Sequence, residues 1–259
     1  FPTNYLAMKY SDDEGDNWSD LNIVSTFKPE ESKFLVLGPG IGKQITTGEN
    51  AGRLIVPLYS KSSAELGFMY SDDHGNSWNY VEADHNTGGA TAEAQIVEMP
   101  DGSLKTYLRT GSGYIAEVTS IDGGETWSDR VPLTEIATTS YGTQLSVINY
   151  SQPIDGKPAI IQDDGMLIWE IKRKNGKIWI GLINETGQSG VNKYSVEWKY
   201  CYSVDTPQMG YSYSCLTELP DGKVGLLYEK YDSWSRNELH LKNILKYEKF
   251  TIDELKVQP

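Results

Sequence analysis

An eight-residue pattern, Ser-x-Asp-x-Gly-x-x-Trp, occurs three times in the chain and limits what it can fold into more than any other feature. The copies run from Ser11 to Trp18, Ser71 to Trp78 and Ser120 to Trp127. Its residue types suit a tight connection between antiparallel strands. The Asp carboxylate accepts backbone N–H groups across the turn, and the Gly supplies the positive φ that other residues resist. The Trp is expected to fold back as an apolar anchor under the hairpin. Strand-like runs precede each copy, at Tyr5–Tyr10, Leu66–Tyr70 and Tyr114–Val118, so each marks a strand-turn-strand unit. The first serines of successive copies are 60 and 49 residues apart, close to the repeat of a four-stranded propeller blade. The expectation is an all-β chain with β-propeller architecture.

Composition narrows the partners. A formal charge of −13 argues against nucleic acid and makes any anionic substrate depend on a local cluster of cations. The arginines are few: Arg53, Arg109, Arg130, Arg173 and Arg236. Seventeen Tyr and seven Trp suit a sheet-rich, carbohydrate-handling surface of a secreted or cell-surface protein. Cys201 and Cys215 make no disulfide framework, and no apolar run reaches membrane-spanning length. His74, His85 and His240 lack metal-like spacing, and Asp12-Asp13 and Asp163-Asp164 read as turn residues without a calcium-loop pattern, so neither metal nor cofactor is expected. Thr251-Ile252-Asp253-Glu254 reads as a capping box for a short closing helix. The opening Phe1-Pro2-Thr3, without initiator Met or signal peptide, reads as a processed or excised piece.

The three repeats resemble the Asp boxes of the bacterial sialidase (neuraminidase) superfamily, and the resemblance extends along essentially the whole chain. It implies a six-bladed propeller with boxes on the outer rim, away from the active face, so the boxes carry structure alone. It also implies that residues 1–259 are the C-terminal portion of the catalytic propeller of a streptococcal-type large sialidase, roughly four blades of six. Sialic acid bears a carboxylate on its anomeric carbon, which planar guanidinium groups bind bidentately. The hairpin Asp101–Arg109 is similar to the one that ends in a carboxylate-binding arginine, which selects Arg109. The stretch Arg173–Leu182 resembles the hairpin that carries another, which selects Arg173.

By the same resemblance, Thr91–Glu98 is similar to the strand whose glutamate activates the nucleophile, pointing to Glu93 rather than Glu98. Gly210–Pro220 is similar to the nucleophile strand and selects Tyr213, with Tyr211 as the alternative two residues away on the same strand face. A phenol avoids the repulsion that a carboxylate would meet at this carbon, but it needs a general base because its ordinary pKa is about 10. Glu229 matches a glutamate that orients the first arginine of the triad. Trp234 matches an aromatic that covers the glycerol side of the sugar in some relatives. The first triad arginine and the acid/base aspartate lie upstream of the first box in relatives and find no match here, so that part of the domain is expected from elsewhere, for example from a separate chain. The resemblance implies an exo-sialidase acting on terminal sialic acid of sialylated glycans. The alternatives are an intramolecular trans-sialidase giving an anhydro-sialic acid, or a catalytically incomplete sialic-acid-binding propeller.

Overall fold

The computed structural model describes residues 6–24, 35–60, 65–83, 93–138, 142–166, 174–205, 209–231 and 243–258, and within them antiparallel pairing joins strands close in sequence. Strands β1 (Ala7–Met8) and β2 (Asn22–Ile23) make a hairpin around the first box. A five-stranded sheet holds β3 (Leu35–Leu37), β4 (Lys43–Gln44), β5 (Leu54–Ser60), β6 (Leu66–Ser71) and β7 (Asn79–Glu82). A four-stranded meander follows, of β8 (Ala94–Glu98), β9 (Leu104–Leu108), β10 (Tyr114–Ser120) and β11 (Val131–Ala137).

The last sheet has seven strands: β12 (Ser146–Ile154), β13 (Lys157–Met166), β14 (Lys174–Glu185), β15 (Tyr194–Ser203), β16 (Gly210–Glu218), β17 (Val224–Tyr231) and β18 (Asn243–Phe250). It is two meanders, β12–β15 and β16–β18, joined by the single pairing of Lys174 with Gly210. Helix α1 (Ile252–Leu255) closes the described chain, and its capping box forms: Glu254 N donates to Thr251 Oγ1, while Thr251 N donates to Glu254 Oε2 at 2.8 Å.

Apolar clusters fill the spaces between consecutive sheets and between the two meanders of the last sheet. Leu58 and Met69 meet Leu6 and Val24 of the first hairpin, whereas Ile55 and Phe68 of the same sheet face Ile96 and Leu108 of the next. Val97 and Tyr107 face Ile160 and Trp198, and Ile161 and Ile180 face Tyr211 and Leu226. Successive residues such as Ile160 and Ile161 thus enter different cores, which is why these strands read as continuous apolar runs rather than alternating ones. Each fully buried Leu or Ile contributes about 1.5–3 kcal/mol.

The three boxes fold alike. Ser11, Ser71 and Ser120 each accept, through Oγ, the N–H of Gly15, Gly75 and Gly124 at 2.8 Å. Asp13, Asp73 and Asp122 accept the backbone N–H of Asn17, Ser77 and Thr126. The glycines have φ of 95°, 85° and 94°, as the sequence requires. Hydrogen bonds from the side chain of Asn17 and Ser77 hold Asp13 and Asp73 down at about 2.

The expected role of the tryptophans needs correction. Each indole donates to the carbonyl of its box glycine, but Trp18 is 61% exposed. Burial comes from the neighbouring unit rather than from the hairpin itself. Trp127 stacks on Phe68 of the preceding sheet at 4.0 Å between centroids, and Trp78 packs beside the β1–β2 hairpin; among the described residues no further sheet stands beside Trp18. Arg53 ties two boxes together, with Nε and Nη2 on Asp72 at 2.7 and 3.0 Å and Nη1 on Gly123 O and Glu125 at 3.1 Å. Its part is structural.

Candidate active site

Glu93 lies one residue before β8 and Arg109 one residue after β9. Since Ala94 pairs with Leu108, the two extend the β8–β9 ladder by one step, and Arg109 N donates to Glu93 O at 3.0 Å. Their side chains share a face. Arg109 Nη1 donates to Glu93 Oε2 at 2.7 Å, with both residues more than nine-tenths buried. Backbone geometry thus sets one cation beside one carboxylate, and the charge pair offsets the cost of burying either alone.

The third member comes from another sheet. Tyr213 Oη donates to Glu93 Oε1 at 3.0 Å, a contact between residues 120 apart in sequence. A bulge in β16 aims it. Tyr211 pairs with Lys230 and Ser214 with Tyr228, so β16 carries one residue more than β17 across this stretch. The extra residue resets the alternation: Tyr211 and Leu216, five apart, enter the same core. A bulge redirects side chains in this way. The expectation that Tyr211 and Tyr213 share a strand face is therefore corrected. Tyr211 is buried, stacks on Tyr228 at 4.9 Å and donates to Asp163 Oδ2 at 2.8 Å rather than to Glu93.

Glu93 thus uses its two oxygens on two partners, a guanidinium and a phenol. The arrangement can take a proton from Tyr213 along an existing hydrogen bond while Arg109 stabilises the carboxylate until the proton arrives. Tyr59 of β5 lies near these groups; burial, with the charge of Glu93 nearby, raises its phenol above the ordinary value. The sequence reading did not select Tyr59, which carries no signal beyond being one of many strand tyrosines.

Glu229 is half-buried on β17 and accepts from Tyr231 Oη at 2.7 Å. Arg173 and Trp234 lie outside the described residues. Asp163 was read from the sequence as a turn residue. It sits instead on β13 with no exposure, and burial raises its carboxyl to about 6. Among the described residues no group of three or more His, Cys, Asp or Glu side chains could hold a metal, and no helix is long and apolar enough to cross a membrane.

A family model described as a BNR repeat-like domain matches residues 3–226. The anhydrosialidase of Macrobdella decora is 82% identical over 98% of this chain and 33% of that protein. The solved intramolecular trans-sialidase from Ruminococcus gnavus, in complex with oseltamivir carboxylate, superposes with a TM-score of 0.93 at 85% identity, covering 100% of this chain and 53% of that one. A leech intramolecular trans-sialidase complexed with 2,7-anhydro-Neu5Ac, prepared by soaking with 3'-sialyllactose, gives 0.92 at 82% identity, over 99% of this chain and 37% of that one. The chain spans about one third of the length of the curated relative, 33%. With an all-β fold shared across these structures and a repeat model covering most of its length, the chain belongs to the BNR-repeat sialidase family.

Proposed function

We propose that this chain is the nucleophile-bearing part of an intramolecular trans-sialidase that releases 2,7-anhydro-Neu5Ac from sialylated glycans. The observation that carries the glycosidase reading is the contact of Tyr213 Oη with Glu93 Oε1, backed by Arg109. The sequence reading put hydrolysis first and intramolecular transfer second. Relatives above 80% identity that are named for the anhydro reaction favour the reverse order.

In this reading Arg109, with Arg173, binds the substrate carboxylate, and Trp234 walls the glycerol side against water. Glu93 takes the proton of Tyr213, the phenolate oxygen bonds to the anomeric carbon, and the bond from that carbon to the aglycone oxygen breaks. The leaving oxygen takes a proton from an acid supplied by sequence outside these residues. The O7 hydroxyl of the same sugar then attacks the anomeric carbon and gives its proton back to that group. Tyr213 leaves and recovers its proton from Glu93. Glu229 orients a further carboxylate-binding arginine, also supplied from outside.

The meanders are successive blades of a six-bladed propeller, about four of which fall in this chain, with the repeats as Asp boxes on its rim. Secretion or display at the cell surface fits the reaction and the relatives. The test is product analysis by NMR: the complete protein given 3'-sialyllactose should yield 2,7-anhydro-Neu5Ac. Free Neu5Ac as the sole product would return the reading to hydrolysis.

A further inference from the structure

Strand β16 delivers Tyr213, but on the side facing β12 and β13 it is held by side chains in place of a backbone ladder. Gln144, just before β12, accepts Ser214 N at 2.9 Å through Oε1 and donates to Ser214 O at 3.2 Å through Nε2, so its amide mimics a neighbouring peptide unit. Ser146 Oγ accepts Leu216 N at 2.9 Å. Ser146 N in turn donates to Asp163 Oδ1 at 2.8 Å, and Asp163 Oδ2 accepts Tyr211 Oη at 2.8 Å. Residues 211, 214 and 216 are therefore gripped on both sides of Tyr213. Gln144, Ser146 and Asp163 are each at least 98% buried.

Two features mark this as more than ordinary packing. The grip spans the bulge, where the ladder to β17 slips by one residue and backbone pairing alone leaves the direction of Tyr213 unset. It is also costly in isolation, since a wholly buried carboxylate is met by neutral donors, among them the Tyr211 phenol and the Ser146 amide N–H, and by no cation among the described residues. An apolar pair of the same shape would fill the space without that cost but would not fix the height of Tyr211 along the strand.

We propose that Asp163, acting through Tyr211, is a positioning residue for the reaction: it locks the β16 bulge in the register that sets Tyr213 Oη within hydrogen-bonding distance of Glu93. The inference rests on the proposed role of Tyr213 as nucleophile. A phenol displaced by even 1 Å from its base and target loses on the order of 100-fold in rate. Substrate carboxylate binding, assigned to Arg109 just after β9 and to Arg173, is expected to stay unchanged.

The experiment measures kcat and KM of the complete protein on a fluorogenic sialoside for wild type, Tyr211→Phe, Asp163→Ala, Asp163→Asn and Tyr213→Phe. Tyr211→Phe keeps the stack on Tyr228 and removes the bond to Asp163. It should lose tenfold or more in kcat with KM within about twofold, and without unfolding by near-UV circular dichroism. Asp163→Asn can accept from Ser146 N and donate to Tyr211 Oη, so it should restore most of the kcat lost in Asp163→Ala. A folded Tyr211→Phe with wild-type kcat, or one changed in KM alone, overturns the positioning role while a dead Tyr213→Phe leaves the nucleophile in place. An active Tyr213→Phe overturns the nucleophile itself and the inference with it.

Discussion

Replacing Asp163 by Asn isolates the charge on the buried carboxyl, because the amide keeps the shape and removes the titration. Burial lifts Asp163 from an ordinary 3.8 to about 6, against the pull of the bonds from Tyr211 and Ser146. The folded-state value therefore lies above the unfolded one, and between about pH 4 and pH 6 the folded form holds a proton that the unfolded chain has released. The stability that Asp163 contributes is fully present below about pH 4 and is lost as the pH rises through about 6. Two pH units at ~1.4 kcal/mol each make that loss about 3 kcal/mol.

Asn suffers no such loss. The stability of Asp163→Asn relative to wild type should grow by about 3 kcal/mol between pH 4 and pH 7, equivalent to a relative Tm gain of roughly 6–12 °C for a domain of this size. The Cys215 thiol, which interacts with this carboxyl, titrates outside the window, because burial beside Asp163 pushes it up from 9.0. Thermal unfolding of both proteins at four pH values across this range supplies the measurement. Parallel Tm curves would show that the carboxyl is charged or neutral throughout and refute the reasoning.

Four further outcomes follow from the same contacts. Glu93→Gln leaves Tyr213 a hydrogen-bond acceptor but no base, so kcat should fall by about 10²–10⁴ while the protein stays folded, as steady-state kinetics will read. Arg53→Met removes the bonds that join the second and third boxes; the carboxylates left behind are half-exposed, so the cost should be ~1–3 kcal/mol in urea unfolding rather than the larger penalty of a stranded buried charge. Gly124→Ala should destabilise more than Gly15→Ala although both have φ near +95°, because the added Cβ meets Ile55 Cδ1 at 2.2 Å in one case and only Trp18 at 3.8 Å in the other. Gly142→Ala would set a Cβ 2.6 Å from Arg109 Cγ, and should raise KM through displacement of that guanidinium.

What the sequence made legible divides by range. The box turns are local: Ser, Asp and Gly satisfy one another within eight residues, so pattern alone yields their geometry. Glu93 and Arg109 are neighbours across one hairpin, and the turn between them fixes their pairing. The Tyr213–Glu93 contact joins different sheets, and only the family resemblance pointed to it.

The bulge and the grip on it had no sequence signature at all. Three polar side chains, Gln144, Ser146 and Asp163, act where a backbone ladder would ordinarily run, and nothing in their local spacing says so. Asp163 beside Asp164 looks like a turn because acids prefer turns; its burial is decided by β12 and β16, not by its neighbours. Trp18 shows the same limit in reverse, since an identical box leaves its indole exposed when no described sheet stands beside it.

The central claim is that Tyr213, held by Glu93, forms the bond to the sugar. A 2,3-difluorosialic acid probe slows breakdown of such an intermediate enough for peptide mapping by mass spectrometry. The account predicts one label per protein, on the peptide bearing Tyr213, that disappears in Tyr213→Phe and accumulates more slowly in Glu93→Gln. A label on Tyr211 or on a carboxylate, or full turnover of the probe by Tyr213→Phe, would contradict it.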